Sequence, residues 1–138
     1  MSDFVLDNSV TMRWCFDKGS HSYADAVLHR LGAAGEQAFV PVLWRYEVSA
    51  VLTRAVKMGA LTAQQAEAFL TNLAALPIAV DVHSGECVLT DVHRLAVAQG
   101  LTSYDAAYLE LALRLKLPLA TLDGELVAAC RAASVTVL

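Results

Sequence analysis

The chain has 138 residues, of which 57% are hydrophobic and 17% charged, and its formal net charge is −4. This length and composition exclude a disordered chain, so we expect one compact domain over residues 1–138. Four basic residues interrupt the longest apolar runs, which therefore fall short of the ~20 residues that a membrane-spanning helix needs. The start of the sequence lacks the pattern of a secretory signal, so we expect a cytoplasmic protein that does not associate with a membrane.

Cysteine content and net charge argue against three further classes of protein. Cys15, Cys87 and Cys130 are odd in number and widely spaced, which fits neither a disulfide framework nor a zinc site. The negative net charge argues against a protein that coats nucleic acid generally, because such proteins are normally basic.

Short apolar runs alternate with longer helical patterns along the whole chain. The runs are continuously apolar, as expected of strands that are covered on both faces in a parallel sheet. The predicted strands are Asp3–Leu6, Ala38–Val40, Ile78–Asp81, Leu119–Thr121 and Val135–Leu138. The predicted helices are Ser9–Phe16, Ser22–Ala34, Leu43–Met58, Ala63–Leu76, Ser84–Gln99, Ser103–Lys116 and Gly124–Ala133. This alternation predicts an α/β fold with a parallel sheet.

Residues at the predicted helix ends support this division. Thr62 followed by Gln65 has the spacing of a capping box, which predicts a helix start. Gly35, Gly59 and Gly100 stand where helices commonly end on a left-handed residue.

Four carboxylates fall where a parallel sheet places its ligand crevice, beyond the carboxyl ends of the strands. Asp7 directly follows the first predicted strand, and Asp123 follows the fourth by two residues. Glu47 lies one turn into the helix after the second strand, and Asp105 lies in the first turn of another helix. All four can converge on one edge of the sheet.

Each carboxylate also has a local explanation. Asp105 with Thr102 is close to a capping box, and Asp123 can be a simple N-cap of the last helix. Asp7 ends an apolar strand, so its charge needs a polar partner. Glu47 needs one as well, because its helical neighbours at spacings of three and four are apolar. These neighbours are Leu43, Trp44, Ala50 and Val51.

The group of four is more informative than any single member. Crowded carboxylates repel one another unless a cation neutralises them, and an all-oxygen ligand set suits Mg²⁺ or Mn²⁺. Such a cation can activate water and stabilise charge on a scissile phosphate. The pattern therefore predicts phosphodiester hydrolysis. Ser9 has two interpretations, as a cap of the first helix or as a residue that orients Asp7 or a metal-bound water.

At these positions the sequence resembles the PIN-domain nucleases, and in particular the VapC-type toxins of bacterial toxin–antitoxin pairs. The likeness runs over essentially the whole chain, and the order and spacing of its pieces are specific. The matching pieces are Val5–Ser9, Pro41–Val48, Leu101–Ala112 and Leu117–Asp123.

The resemblance implies a three-layer α/β/α sandwich with a central parallel sheet. It implies that Asp7, Glu47, Asp105 and Asp123 are the catalytic metal ligands. The hydroxyls of Ser9 and Thr121 match positions that support the first and last acids in many relatives. It further implies cleavage of single-stranded regions of tRNA or rRNA with Mg²⁺ or Mn²⁺, a small antitoxin protein as partner, and a homodimer.

Three other classes of protein fit the sequence less well. A phosphorylatable receiver domain would need an acidic pair after the first strand, where Asn8 follows Asp7, and a Lys directly before a late Pro, where Leu117 intervenes. A haloacid-dehalogenase-like phosphatase would need a second Asp at the position of Ser9. A catalytically idle PIN fold that serves only as a binding module usually lacks at least one acid, and this chain retains all four.

Overall fold

A four-stranded parallel sheet forms the centre of the protein in a computed structural model that describes residues 3–32 and 35–138. The strand order is β3-β2-β1-β4. The strands are β1 (Phe4–Leu6), β2 (Ala38–Pro41), β3 (Ile78–Asp81) and β4 (Leu119–Ala120). The α-helices are α1 (Asn8–Phe16), α2 (Ser22–Gly32), α3 (Val42–Lys57), α4 (Ala63–Ala74), α5 (His93–Gln99), α6 (Ser103–Leu115) and α7 (Gly124–Ala132). Among the described residues no helix is both long and apolar enough to cross a bilayer.

The inner strand β1 shows why the predicted strands are continuously apolar runs. Phe4, Val5 and Leu6 point to alternate faces of the sheet, and all three are 0% exposed. Both faces of the sheet are therefore covered by helices, which gives the predicted three-layer α/β/α sandwich. The edge strand β3 is only half-buried along its length.

The signals at several helix ends are confirmed. The Thr62 hydroxyl accepts a hydrogen bond from the Gln65 amide at 3.0 Å, and the Gln65 side chain accepts one from the Thr62 amide at 2.9 Å. Gly100 ends α5 with a φ of +64°, a left-handed conformation that glycine adopts without steric cost. The predicted capping box and C-terminal glycine therefore both form.

Two predicted elements are wrong. The single helix predicted over Ser84–Gln99 is a 3₁₀ turn (Ser84–Cys87), a π-turn (Val88–Val92) and then α5. The buried Ser84 hydroxyl donates to the Asp81 carbonyl and accepts from the Val42 amide, and such side-chain bonds to the backbone compete with a helix. The strand predicted over Val135–Leu138 reduces to one parallel bridge between Leu119 and Val137, because β4 beside it is only two residues long.

The remaining predicted boundaries differ from the observed ones by one or two residues. Ala34, the predicted end of the second helix, lies outside the described residues.

An ion-pair network ties α6 to the far edge of the sheet. The Arg114 guanidinium donates to the Glu110 carboxylate at 2.8 and 3.1 Å and to the Asp81 carboxylate at 2.6 Å. Glu110 is buried, and Arg114 is the basic residue of the last turn of α6. Asp81 is therefore paired with a cation, although it also lies at the carboxyl end of a strand.

Candidate active site

Asp7 is the most buried of the four predicted site residues, with 5% of its surface exposed. It occupies the N-cap position of α1 without forming a side-chain cap. Its Oδ2 atom instead accepts hydrogen bonds from the hydroxyls of Ser9 and Thr121, each at 2.7 Å. Burial raises the pKa of Asp7, while these two hydroxyl donors oppose the rise. The carboxylate is thus fixed in orientation, and its burial disfavours its ionised form.

Ser9 and Thr121 also connect the two ends of the chain. The Ser9 hydroxyl accepts a hydrogen bond from the Leu122 amide at 2.9 Å, and the Thr121 hydroxyl accepts one from the Asp123 amide at 3.0 Å. Ser9 lies within the first turn of α1 rather than before it, so its interpretation as the cap of that helix is wrong. The alternative, that Ser9 orients Asp7, agrees with the geometry.

Glu47 lies half-buried on α3, and its polar partner comes from α6. The Tyr108 hydroxyl donates to the Glu47 Oε1 atom at 2.5 Å, and Tyr108 is itself fully buried. Burial raises the pKa of Glu47, and the negative charge of Asp7 adds to the rise, whereas the Tyr108 hydrogen bond opposes it. Glu47 and Asp7 therefore belong to one electrostatic environment.

Asp105 is the carboxylate that is most strongly perturbed by its neighbours. Burial, the charges of Asp123 and Asp7, a hydrogen bond to Asp123 and the charge of Glu47 together raise its pKa to about 6. The Thr102 hydroxyl caps α6 by accepting from the Asp105 amide at 3.1 Å. Asp105 thus stands in a capped first turn, but its side chain is grouped with the other acids.

Asp123 is a helix cap that also acts on Asp105. It is the N-cap of α7, where its Oδ1 atom accepts a hydrogen bond from the Glu125 amide at 2.9 Å. Its charge is also the largest electrostatic contribution to the raised pKa of Asp105. A single carboxylate can serve both roles because a cap requires only one of its two oxygens.

The four carboxylates share one electrostatic environment. Asp105 makes a hydrogen bond to Asp123, and the charges of Asp123, Asp7 and Glu47 add to the effect of burial on its pKa. No three Asp, Glu, His or Cys side chains within residues 3–32 and 35–138 stand close enough to enclose a metal ion. In chemical type, their oxygen atoms suit a hard divalent cation such as Mg²⁺ or Mn²⁺.

Two supporting contacts were not predicted from the sequence. Tyr108 sits in an apolar helical run, where an aromatic residue reads as core, but a buried tyrosine hydroxyl needs a hydrogen-bond partner. The Trp44 indole similarly donates to the buried Thr11 hydroxyl at 3.0 Å, which joins α3 to α1. The Tyr108 hydroxyl and the Trp44 indole N–H are polar atoms on apolar helix faces. The need of a buried polar atom for a partner is the sequence signal that could have predicted both contacts.

Comparison with known proteins agrees with this fold. The family model of the PIN domain matches residues 4–132. Ribonuclease VapC3 of Pyrobaculum aerophilum is 40% identical over 81 residues, which are 59% of this chain and 62% of that protein. The aligned region thus spans less than two thirds of that relative's length.

Three solved structures share the fold. PAE2754 from Pyrobaculum aerophilum has a TM-score of 0.66 at 27% identity, covering 93% of this chain and 79% of its own. VapBC2 from Rickettsia felis, bound to a DNA fragment from its promoter, has a TM-score of 0.70 at 10% identity, with 100% and 98% covered. FitAcB from Neisseria gonorrhoeae has a TM-score of 0.63 at 17% identity, with 100% and 96% covered.

The resemblance to VapC-type PIN proteins noted in the sequence is confirmed by the family match and the VapC3 relative. The chain belongs to the PIN domain family.

Proposed function

We propose that this protein is a metal-dependent endoribonuclease and the toxin of a type II toxin–antitoxin pair. The observation that carries the proposal is the group of four carboxylates, in which burial together with the charges of Asp123, Asp7 and Glu47 raises the pKa of Asp105. Carboxylates that destabilise one another are typical of functional sites. Binding of a divalent cation is one function that requires several carboxylates close together. Membership of the PIN family and similarity to Ribonuclease VapC3 support this activity.

Asp7, Glu47, Asp105 and Asp123 would be the ligands of one or two Mg²⁺ or Mn²⁺ ions. When bound, the cation would supply an activated water and neutralise charge on the scissile phosphate. Ser9 and Thr121 hold the Asp7 carboxylate in one orientation, and Tyr108 does the same for Glu47. Outer hydrogen bonds of this kind orient ligands and reduce the reorganisation that metal binding requires.

The partners form part of the same proposal. The substrate is RNA, with tRNA and rRNA as the classes implied by the resemblance, and the activity belongs in the cytoplasm where these RNAs occur. A small antitoxin protein silences the toxin, and the toxin itself forms a homodimer.

The direct test is to incubate the purified protein with total RNA and Mn²⁺, with and without a chelator, and to map the new RNA ends. Wild-type protein should cleave only without the chelator, and Asp7→Asn and Asp105→Asn should not cleave. Thr62→Ala, which removes a helix cap formed between Thr62 and Gln65, is the matched control and should cleave normally. Cleavage that resists the chelator would refute the metal site, and an absence of cleavage would favour a binding module.

A further inference from the structure

Three of the four site carboxylates are directly preceded in the chain by an exposed apolar side chain. Tyr46 precedes Glu47 and is 74% exposed, and Tyr104 precedes Asp105 and is 62% exposed. Leu122 precedes Asp123 and is 40% exposed. Neither tyrosine belongs to a hydrophobic core cluster of the described residues. The two rings therefore contribute little to the hydrophobic core of the described residues, and both are accessible to a ligand.

The position of Tyr104 on α6 places it beside the carboxylates. Residues four apart lie on the same helix face, so Tyr104 shares a face with Tyr108, one turn closer to the start of α6. Tyr108 reaches Glu47 through its hydroxyl, so this face of α6 is turned towards α3. Tyr46 lies on α3 one residue before Glu47. The backbones of both tyrosines are thus next to the site, on the two helices that supply Glu47 and Asp105.

Because the site and the whole protein are negatively charged, an attraction to RNA that does not depend on charge would help binding at this site. The carboxylates repel a phosphate backbone wherever a cation does not neutralise them, and the chain as a whole carries a net charge of −4. Stacking of a base on an aromatic ring does not depend on net charge, and it requires bases that are free of a duplex.

We propose that Tyr46 and Tyr104 form a stacking pair that binds the unpaired bases flanking the scissile phosphate of a single-stranded RNA. The proposal rests on the proposed function for the position of that phosphate. In this arrangement the carboxylates and their cation act on the backbone, while the two rings select single strands over duplexes.

The test separates binding from cleavage. A fluorescent single-stranded RNA octamer is titrated with protein in Ca²⁺, with anisotropy as the measurement, and its cleavage is then followed in Mn²⁺. Tyr46→Ala and Tyr104→Ala should each weaken binding roughly 5- to 100-fold and raise KM with little change in kcat. Tyr46→Phe and Tyr104→Phe keep the ring and should bind like wild type. Val97→Ala, at a 71% exposed position on α5, controls for loss of a surface apolar group.

The possible outcomes distinguish this proposal from the proposed function. If the alanine variants bind and cleave the octamer like wild type, the stacking pair is refuted and the nuclease assignment stands. The two exposed rings would then be available for contact with a protein partner instead of RNA. If wild type binds the octamer in a tyrosine-dependent way but never cleaves RNA, the stacking pair stands and the nuclease assignment fails. If wild type binds a blunt RNA duplex as tightly as the octamer, the proposed selection of single strands is wrong.

Discussion

At the scale of single residues, the Asp7 carboxylate combines two opposing features. Its burial disfavours the ionised form, yet two hydroxyls donate to the same oxygen and favour that form. A positive charge close to a buried acid of this kind favours its ionised form. A cation bound beside Asp7 would therefore offset part of the effect of burial.

Replacing Asp105 by Asn should stabilise the metal-free protein at neutral pH. The pKa of Asp105 rises from its ordinary value of 3.8 to about 6 on folding, so its ionised form weakens the fold. This loss of stability develops as the pH rises from about 4 to about 6. Allowing for solvent screening of a partly exposed group, we expect the variant to gain about 1 kcal/mol at pH 7.5 and nothing at pH 4. Thermal unfolding at a series of pH values measures the difference.

The same unfolding experiment with Mn²⁺ supplies the control for Asp105→Asn. The cation should raise the melting temperature of wild type more than that of the variant, because binding to the folded state alone stabilises it. A variant that is less stable than wild type at every pH would contradict the raised pKa of Asp105.

Removing the Tyr108 hydroxyl tests the support of Glu47. Tyr108→Phe should cost about 1 kcal/mol of stability and about 10-fold in kcat/KM, since Glu47 loses its only described side-chain donor. The pKa of Glu47 should rise further, because the lost hydrogen bond lowers it. The acidic limb of the pH–rate profile should therefore move to higher pH. An unchanged profile would show that Tyr108 only fills the core.

At the scale of elements, the sequence predicted correctly the features that depend on residues close together in the chain. The capping box at Thr62 and the glycine at position 100 were recognised because their partners lie within a few residues. The change of helix type over Ser84–Val92 was not, and the Ser84 hydroxyl at its start accepts a hydrogen bond from the Val42 amide, which is 42 positions away. A pattern within one segment holds no information about such a partner.

The site follows the same rule. The sequence could place Asp7 and Asp123 at strand ends, because the end of an apolar run is a local feature. It could not identify Tyr108 as the partner of Glu47, because the two are 61 positions apart and Tyr108 lies in a run of core residues. The convergence of the acids was predictable only from the general rule that parallel strands end at one edge.

Two substitutions of Asp123 separate its cap from its proposed role as a ligand. Asp123→Ser keeps a good N-cap and should leave the free energy of unfolding within about 0.5 kcal/mol, whereas Asp123→Ala should lose about 1 kcal/mol. Both should reduce RNA cleavage at least about 100-fold, because both remove the carboxylate. Chemical denaturation and a cleavage assay give the two readouts. Full activity of Asp123→Ser would assign the residue to the cap alone.

At the scale of the whole molecule, Arg114 connects helix α6 to the edge strand β3. Arg114→Met leaves the carboxylates of Glu110 and Asp81 without their cation, and we expect a loss of about 2–3 kcal/mol in the free energy of unfolding. Arg94 offers a matched control, since its pair with Asp91 is well exposed and 3.7 Å long. Arg94→Met should cost less than about 0.5 kcal/mol. If both variants lose the same free energy of unfolding in urea denaturation, the Arg114 network stabilises the protein no more than the exposed Arg94 pair does.

The hydrogen bond between Thr121 and Asp7 joins residues that are 114 positions apart. During synthesis Asp7 leaves the ribosome more than a hundred residues before Thr121, the strand β4 and the acid at position 123. Until these residues emerge, β1 lacks its neighbour on one side, and the group of four carboxylates is incomplete. Under the proposed function, a nascent chain without residues 119–123 would therefore not yet cleave the RNA of the ribosome that makes it.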